Sequence, residues 1–358
     1  MTTTTPSQLS ALHDDTVRGF ASDNYAGIHP EVLQALATVN GGHQVAYGED
    51  VYTERLREVM RGHLGEQVET FPVFNGTGAN VVALQAATDR WESVICTSNA
   101  HIHVDECAAP ERMGGIKLHA VPTGDGKLTP ELIDTVPARV GDEHWPQVRV
   151  VSITNSTEIG TVYTPEQIRA LADHAHERGL VLHLDGSRIS NAAAALGVSL
   201  RELVADTGVD LLSLGGTKAG ALAAEAVVVL SPEKVRGMPY LRKQSMQLAS
   251  KMRFVSAQLL ALYEGDLWLR GAGHANAMAA RLQEAVRDVD GVRLATPAEA
   301  NAVFPMLDPA VADRLAARFR FYPWDESRDQ YRWMCSWDTT EADVDAFVAA
   351  LREELARP

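Results

Sequence analysis

Two largely apolar runs that each end in a single charge constrain this chain more than any other feature. Leu180 to Leu184 closes on Asp185, Gly186, Ser187 and Arg188, and Val209 to Leu214 closes on Gly215, Gly216, Thr217 and Lys218. Short continuous apolar runs bounded by turn residues read as buried strands, and the segment between these two has room for a crossover helix. The lone carboxylate and the lone lysine therefore fall at strand ends of one parallel sheet. That arrangement suits pyridoxal phosphate: the ring nitrogen needs an ionised carboxylate to stay protonated, and the aldehyde needs a lysine amine for a Schiff base.

The surrounding pattern alternates strands and helices. Strands are expected at Thr70–Phe74, Ser93–Thr97, Ile116–Val121, Arg149–Thr154, Leu180–Leu184, Leu211–Leu214 and Ala226–Leu230. Helices are expected at Pro30–Val39, Glu54–Leu64, Ala79–Thr88 and Pro165–Arg178, the last with Pro at its start and Gly179 just past its end. Arg242–Tyr263 reads as one long helix, and Ala342–Leu355 as a final charged one. From about Gly271 the texture changes to a helix and two or three weak strands. The expected architecture is α/β, with a large domain whose mostly parallel central sheet is flanked by helices, plus a smaller α+β C-terminal domain. The divisions are 1–40 for an N-terminal arm and helix, 41–270 for the large domain and 271–358 for the small one.

A chain of 358 residues with 46% hydrophobic content can build cores of this size. Its 32 basic and 47 acidic side chains give a net charge of −15 with no basic stripe, which argues against nucleic acid and anionic membranes as partners. The Thr-rich start, Met1 to Ser10, has neither the basic nor the apolar region of a signal peptide, and no apolar stretch reaches membrane-spanning length. Cys96, Cys107 and Cys335 are far apart and read as small buried hydrophobes in a reducing compartment. A cytoplasmic location is expected.

Asn75, Gly76, Thr77, Gly78 and Ala79 lie between a strand and a helix, where free N–H groups and the positive helix end receive a phosphate. His101 follows the strand ending at Thr97. A flat imidazole there can stack on the cofactor ring; a hydrogen-bonded structural histidine is the plain alternative. If this segment were extended, His101 and His103 would share one face, which opens a metal-dependent hydrolase as a rival from another class, although no third ligand has an obvious spacing. Arg188 and Arg332 are candidates for a substrate carboxylate, which a guanidinium matches with two parallel hydrogen bonds. For either arginine alone, a surface salt bridge is the alternative.

With these motifs in place the chain resembles the low-specificity L-threonine aldolases and phenylserine aldolases, pyridoxal enzymes of fold type I related to aspartate aminotransferase. The resemblance spans nearly the whole chain through Phe20–Pro30, Tyr47–Asp50, Gly76–Asn80, Ala100–Glu106, Asn155–Val162, His183–Asn191, Gly215–Gly220, Ser250–Phe254 and Arg332–Thr340. It implies Lys218 as the Schiff-base lysine, Asp185 as partner of the ring nitrogen, Gly76, Thr77 and Gly78 on the phosphate, and His101 on the ring. It further implies Arg188, Arg332, Ser22 and Tyr47 around the cofactor and the substrate, and His144 near the substrate's β-hydroxyl. Arg253, with Lys251, would reach a neighbouring subunit's cofactor phosphate in a homotetramer built from close dimers. Glu49 stands where the family more commonly has Asp, and Ala219 where many members have Asn. No metal is expected. The implied reaction is reversible retro-aldol cleavage of threonine, allo-threonine or phenylserine to glycine and an aldehyde, with His101, His144 or a held water as base. The same fold hosts other pyridoxal lyases and aminotransferases, and a non-catalytic pyridoxal carrier is a further alternative.

Overall fold

The computed structural model describes residues 11–357, so the expectation for Met1 to Ser10 lies outside the described residues. Seven strands form the main sheet: β1 Glu69–Val73, β2 Glu92–Thr97, β3 Lys117–Val121, β4 Gln147–Thr154, β5 Val181–Gly186, β6 Leu211–Leu214 and β7 Glu225–Val229. Their order is β1-β7-β6-β5-β4-β2-β3. All neighbours are parallel except at β7, which is antiparallel to both β1 and β6. Each expected strand is present within a residue or two of its bounds.

Alternation along these strands sends residues to two apolar layers. Ile95, Val151, Leu182 and Leu212 join one core; Val94, Val150, Val181 and Leu211 join the other. A sheet covered on both faces explains why its strands read as continuous apolar runs rather than as alternating ones. Helix Pro165–Glu177 starts with a capping box, in which Thr164 and Gln167 satisfy each other's backbone N–H groups.

The C-terminal ends of β4, β5 and β6 lie side by side, with Thr154 opposite Asp185 and Asp185 opposite Ser213. Lys218 follows four residues after β6, at the same edge. This is where open parallel sheets place their ligands.

Two expectations about helices change. Arg242–Tyr263 is divided into Met238–Gln244 and Met252–Tyr263. Met246 takes a left-handed φ of 61°, while the Gln247 side chain accepts the Phe74 N–H and the Ser250 carbonyl accepts that of Tyr47, so the segment bonds to other loops instead of continuing the helix. The division at residue 271 falls inside an unbroken helix, Leu267–Val286. Leu267 and Trp268 pack in the main core, whereas Met278, Leu282 and Val286 pack in the C-terminal one, so a single rod joins both. Phe20 of the N-terminal arm also enters the C-terminal core.

The C-terminal sheet holds five short antiparallel strands, β8 Arg293–Leu294, β9 Ala302–Val303, β10 Pro305–Met306, β11 Tyr322–Asp325 and β12 Gln330–Met334, against the two or three expected. Three of them are two residues long, too short to show any periodicity. Among the described residues no helix is long and apolar enough to cross a membrane, and all three cysteines are unpaired. Cys96 and Cys335 are buried as expected; Cys107 is exposed.

Candidate active site

The turn after β6 explains why two glycines precede Lys218. A Cβ on Gly215 would overlap the Ser187 backbone, and one on Gly216 would overlap the Ala224 carbonyl. The turn is held by Glu225 at the start of β7, whose carboxylate accepts the Gly216 N–H at 2.9 Å and the Thr217 N–H at 3.2 Å. The Tyr263 hydroxyl donates to the Gly215 carbonyl from the other side. Lys218 Nζ has one hydrogen-bond partner among the described residues, the Ser187 hydroxyl at 3.3 Å. Burial lowers the pKa of the ammonium below the usual lysine range and Arg188 adds to this, against Asp23, Asp185 and Glu225. A sparsely bonded amine with a depressed pKa suits a nucleophile.

Asp185 closes β5 and is buried. Its Oδ1 accepts the Ser187 N–H at 2.9 Å and its Oδ2 accepts the Asn80 amide at 2.8 Å. Burial alone would raise its pKa, but the Lys218 charge, the Ser187 N–H and the Asn80 amide together keep it below the ordinary value. The carboxylate is thus held ionised, as a protonated ring nitrogen requires.

At the start of helix Gly76–Ala87, Asn75 Oδ1 accepts the Gly78 N–H at 2.7 Å. The Gly78 N–H is thus engaged by its own helix cap. The N–H groups of Gly76 and Thr77 and the Thr77 hydroxyl remain for an anion. A Cβ on Gly78 would displace the end of the Gln247 side chain.

Arg188 is not open on all its edges. Its Nε and Nη2 bond the two oxygens of Asp23 at 2.7 and 2.9 Å, and its Nη2 also lies 3.2 Å from Met334 Sδ. Both partners are buried, with side chains 12% and 2% exposed. The expected two-pronged grip of Arg188 on a substrate carboxylate is thus already taken by Asp23, leaving Nη1 as the open nitrogen. Arg332 is the better receptor. One nitrogen donates to the Ala21 carbonyl at 2.9 Å, the guanidinium stands 4.5 Å from the Trp324 ring, and Nε is buried without a partner. Burial, then the charge of Arg188, brings its pKa down to about 10. A substrate carboxylate would relieve both penalties. Ser22 Oγ caps the turn Asp23–Tyr25 through the Asn24 N–H and sits 3.4 Å from Asp23 Oδ1.

His101 begins a short helix, His101–Val104, not an extended segment. Residues two apart on a helix point to nearly opposite sides, so His103 is exposed while His101 turns toward Glu106. Among the described residues no group of three metal-ligating side chains exists, which removes the basis of the His101–His103 metal reading.

His144 is exposed in the loop before β4, its N–H bonded to Asp142. Lys218 and Asp185 lie at the C-terminal ends of the parallel strands, His144 at the N-terminal end of β4. Within one chain a whole strand separates His144 from its own Lys218. Tyr47, with a φ of 62°, lies on an exposed loop, and Arg253, bonded to the Gly42 carbonyl, lies in the first turn of helix Met252–Tyr263; among the described residues no hydrogen bond joins either to the Lys218 cluster.

Sequence reasoning missed Asp23, Asn80, Glu106, Glu158 and Glu225. Glu158 Oε1 accepts the His101 N–H and the Thr154 hydroxyl, each at 2.8 Å, and burial raises its pKa. The available signal was adjacency, since Asp23, Asn80, Glu106 and Glu158 all stand inside the motifs that carried the resemblance.

Glu225 has a titration consequence. Burial pushes its carboxyl from 4.5 up to about 7, against the pull of Thr217, the two N–H donors and Lys218. A carboxyl raised in the folded state contributes stability that is full below the unfolded pKa and is lost as pH rises through about 7. Relative to the wild type, Glu225→Gln is therefore expected to gain thermal stability between about pH 4.5 and 7, by up to about 1.4 kcal/mol per pH unit, and to level off above that. Melting curves of the two holoproteins across that range check this; a pH-independent difference would contradict it.

A buried carboxylate, a poorly satisfied amine, an open anion-binding turn and an arginine with an orphaned nitrogen fit pyridoxal phosphate, and together with the sheet order they define a pyridoxal enzyme of fold type I. The family model described as "Beta-eliminating lyase" matches residues 19–310, and the chain belongs to that family. It is 45% identical over 327 residues to the low specificity L-threonine aldolase of Pseudomonas aeruginosa, covering 91% of this chain and 94% of the relative. To the protein of the same name from a Pseudomonas species it is 44% identical over 344 residues, covering 96% and 99%. The structure of Leishmania major threonine aldolase superposes with a TM-score of 0.88 at 29% identity, covering 95% of this chain and all of that one.

Proposed function

We propose that this chain cleaves L-β-hydroxy-α-amino acids, threonine, allo-threonine and phenylserine among them, to glycine and an aldehyde, and runs the reverse condensation. The observation that carries the reading is that Lys218 and Asp185 share one edge of the main sheet while the unsatisfied Arg332, from β12 of the C-terminal sheet, faces the neighbouring Arg188 and Asp23 charges. When bound, pyridoxal phosphate supplies an electron sink for the pair released as Cα–Cβ breaks. Asp185 holds the negative charge that keeps that sink effective. Gly76 and Thr77 offer the phosphate their N–H groups, and His101 covers the ring. Arg332 fixes the amino acid's carboxylate and Arg188, steadied by Asp23, contributes its open nitrogen. Two such contacts would set the substrate's rotation and so select which bond to Cα is broken. The amine of Lys218 would hold the cofactor's aldehyde.

A coupled aldehyde assay over threonine, allo-threonine and the phenylserine isomers tests the proposal, and absence of aldehyde and glycine from all of them would refute it. Arg332→Ala is expected to raise KM about 10- to 100-fold, the value of one or two charge-assisted hydrogen bonds. An unchanged KM would assign the carboxylate elsewhere.

Assembly is part of the proposal. Val45, Tyr47, Val51 and Met246 are more than half exposed, and the Tyr47 to Ser250 bond brings their loops together. An apolar patch of this kind suits a second copy of the chain, across which Tyr47, Arg253 and His144 would serve a neighbour's site in a dimer of dimers. Sedimentation reads the stoichiometry, a monomer contradicting it. Three unpaired cysteines support a cytoplasmic setting, which cell fractionation checks.

A further inference from the structure

One network in the site is left unused by the chemistry above. The Asn80 amide nitrogen donates to Asp185 Oδ2 at 2.8 Å and to Glu106 Oε1 at 2.9 Å. The same Glu106 oxygen lies 2.9 Å from His101 Nδ1. Asn80 is 1% exposed and the Glu106 side chain is fully buried. Asn80 Oδ1 and Glu106 Oε2 have no partner, so neither residue is explained by general packing needs.

The direction of each bond follows from the groups involved. Only an amide NH2 can satisfy two carboxylates at once; the flipped amide would aim its oxygen at two anions. Glu106, accepting from Asn80, accepts from His101 as well, so Nδ1 carries the hydrogen. In the neutral ring Nε2 is then a bare acceptor. The His101 side chain is 36% exposed.

We infer that Glu106 is a positioning residue for the reaction proposed above: it fixes His101 as the Nδ1–H tautomer with Nε2 free to accept the proton of the substrate's β-hydroxyl, and Asn80 ties this pair to Asp185. One amide thereby ties Asp185 to Glu106, which in turn holds the imidazole of His101. The charged groups facing His101 are Glu106 from its own turn, Asp185 from the end of β5, Lys218 from the turn after β6, and Glu158, which takes its backbone N–H. The Glu106 bond raises the pKa of His101 above the ordinary histidine value, against burial and Lys218, with Asp185 adding to the rise.

The inference rests on the proposed aldol reading but is tested apart from turnover. Side-chain ¹⁵N spectra of the histidine-labelled holoprotein, with His101 assigned by its loss in His101→Asn, report the tautomer directly. The expected result is a protonated Nδ1 and an unprotonated Nε2 in the wild type. In Glu106→Gln, which keeps the shape and removes the charge, the His101 titration midpoint should fall by on the order of one pH unit. Its kcat should fall about 10- to 100-fold with KM for threonine little changed, and Glu106→Asp should recover much of both. A wild-type ring protonated on Nε2, or a midpoint unmoved in Glu106→Gln, overturns the inference. Failure of the wild type to cleave any hydroxy amino acid would refute the function instead, leaving the spectra to decide the tautomer.

Discussion

Lys218→Ala should leave a folded protein that borohydride can no longer join covalently to pyridoxal phosphate. In the wild type, reduction is expected to add the mass of the reduced cofactor to the chain and to abolish its visible absorbance. The variant should show neither change, and threonine cleavage should fall by roughly 10³- to 10⁴-fold, because covalent attachment and proton transfer both reside on one amine. The structure gives a reason to expect that the fold survives. Lys218 makes one long hydrogen bond, to Ser187, and its ammonium is disfavoured by burial, so deletion removes a cost as well as a contact. The turn itself is held by Glu225 and Tyr263 through backbone atoms that the substitution keeps. Because the Lys218 charge also helps keep buried Asp185 ionised, a loss of about 1–3 kcal/mol is expected, short of unfolding. Mass spectrometry of the reduced protein is the decisive reading: a tethered cofactor in the variant would move the assignment to another lysine.

The residues legible in the sequence were those whose signal is local. Asp185 and Lys218 stood out because each is a single charge ending an apolar run, and the main sheet did because its strands are buried on both faces. Pro165 and Gly179 marked their helix by simple backbone rules. What was not legible depends on the tertiary fold. Asp23 meets Arg188 across 165 positions, and Asn80 meets Asp185 across 105, distances at which no periodicity or spacing speaks. Ser22 was selected from its motif, whereas its neighbour Asp23 makes the stronger contacts. The break between Gln244 and Met252 contains neither Pro nor Gly; it exists because distant loops use its carbonyl and amide groups. His144 was placed by resemblance, and strand direction alone sends it to the far edge of the sheet.

Asp23→Ala is expected to have the largest effect on stability of any substitution considered. Asp23 lies in the N-terminal arm, Arg188 follows β5 of the large sheet, and Asn301, which donates to Asp23 Oδ2 at 3.3 Å, belongs to the C-terminal part. The carboxylate therefore joins three parts of the chain at the edge of the site. Burial would raise its pKa, but Arg188 foremost, with Lys218 and Asn301, more than offsets this and holds the carboxyl below its usual range. A carboxyl depressed in this way contributes stability that is fully present above the unfolded value of 3.8 and is lost as pH falls through the still lower folded one. The whole contribution is thus in force at neutral pH. Removing one partner of a buried pair leaves the other charge uncompensated, at a cost of about 3–5 kcal/mol. Asp23→Asn keeps the shape and an acceptor and should cost less, yet it frees the Arg188 fork to rotate. A guanidinium no longer held at Nε and Nη2 loses its fixed aim at the substrate, so kcat/KM should fall about 10²-fold in a protein that still melts cooperatively. Denaturant titration and steady-state kinetics on Asp23→Ala, Asp23→Asn, Arg188→Ala and the double alanine variant measure both effects. If the pair acts as a unit, the double variant will be no less stable than Asp23→Ala alone, since the stranded charge is gone. Additive losses, or an Asp23→Asn enzyme with wild-type kcat/KM, would show that Arg188 keeps its aim without the carboxylate.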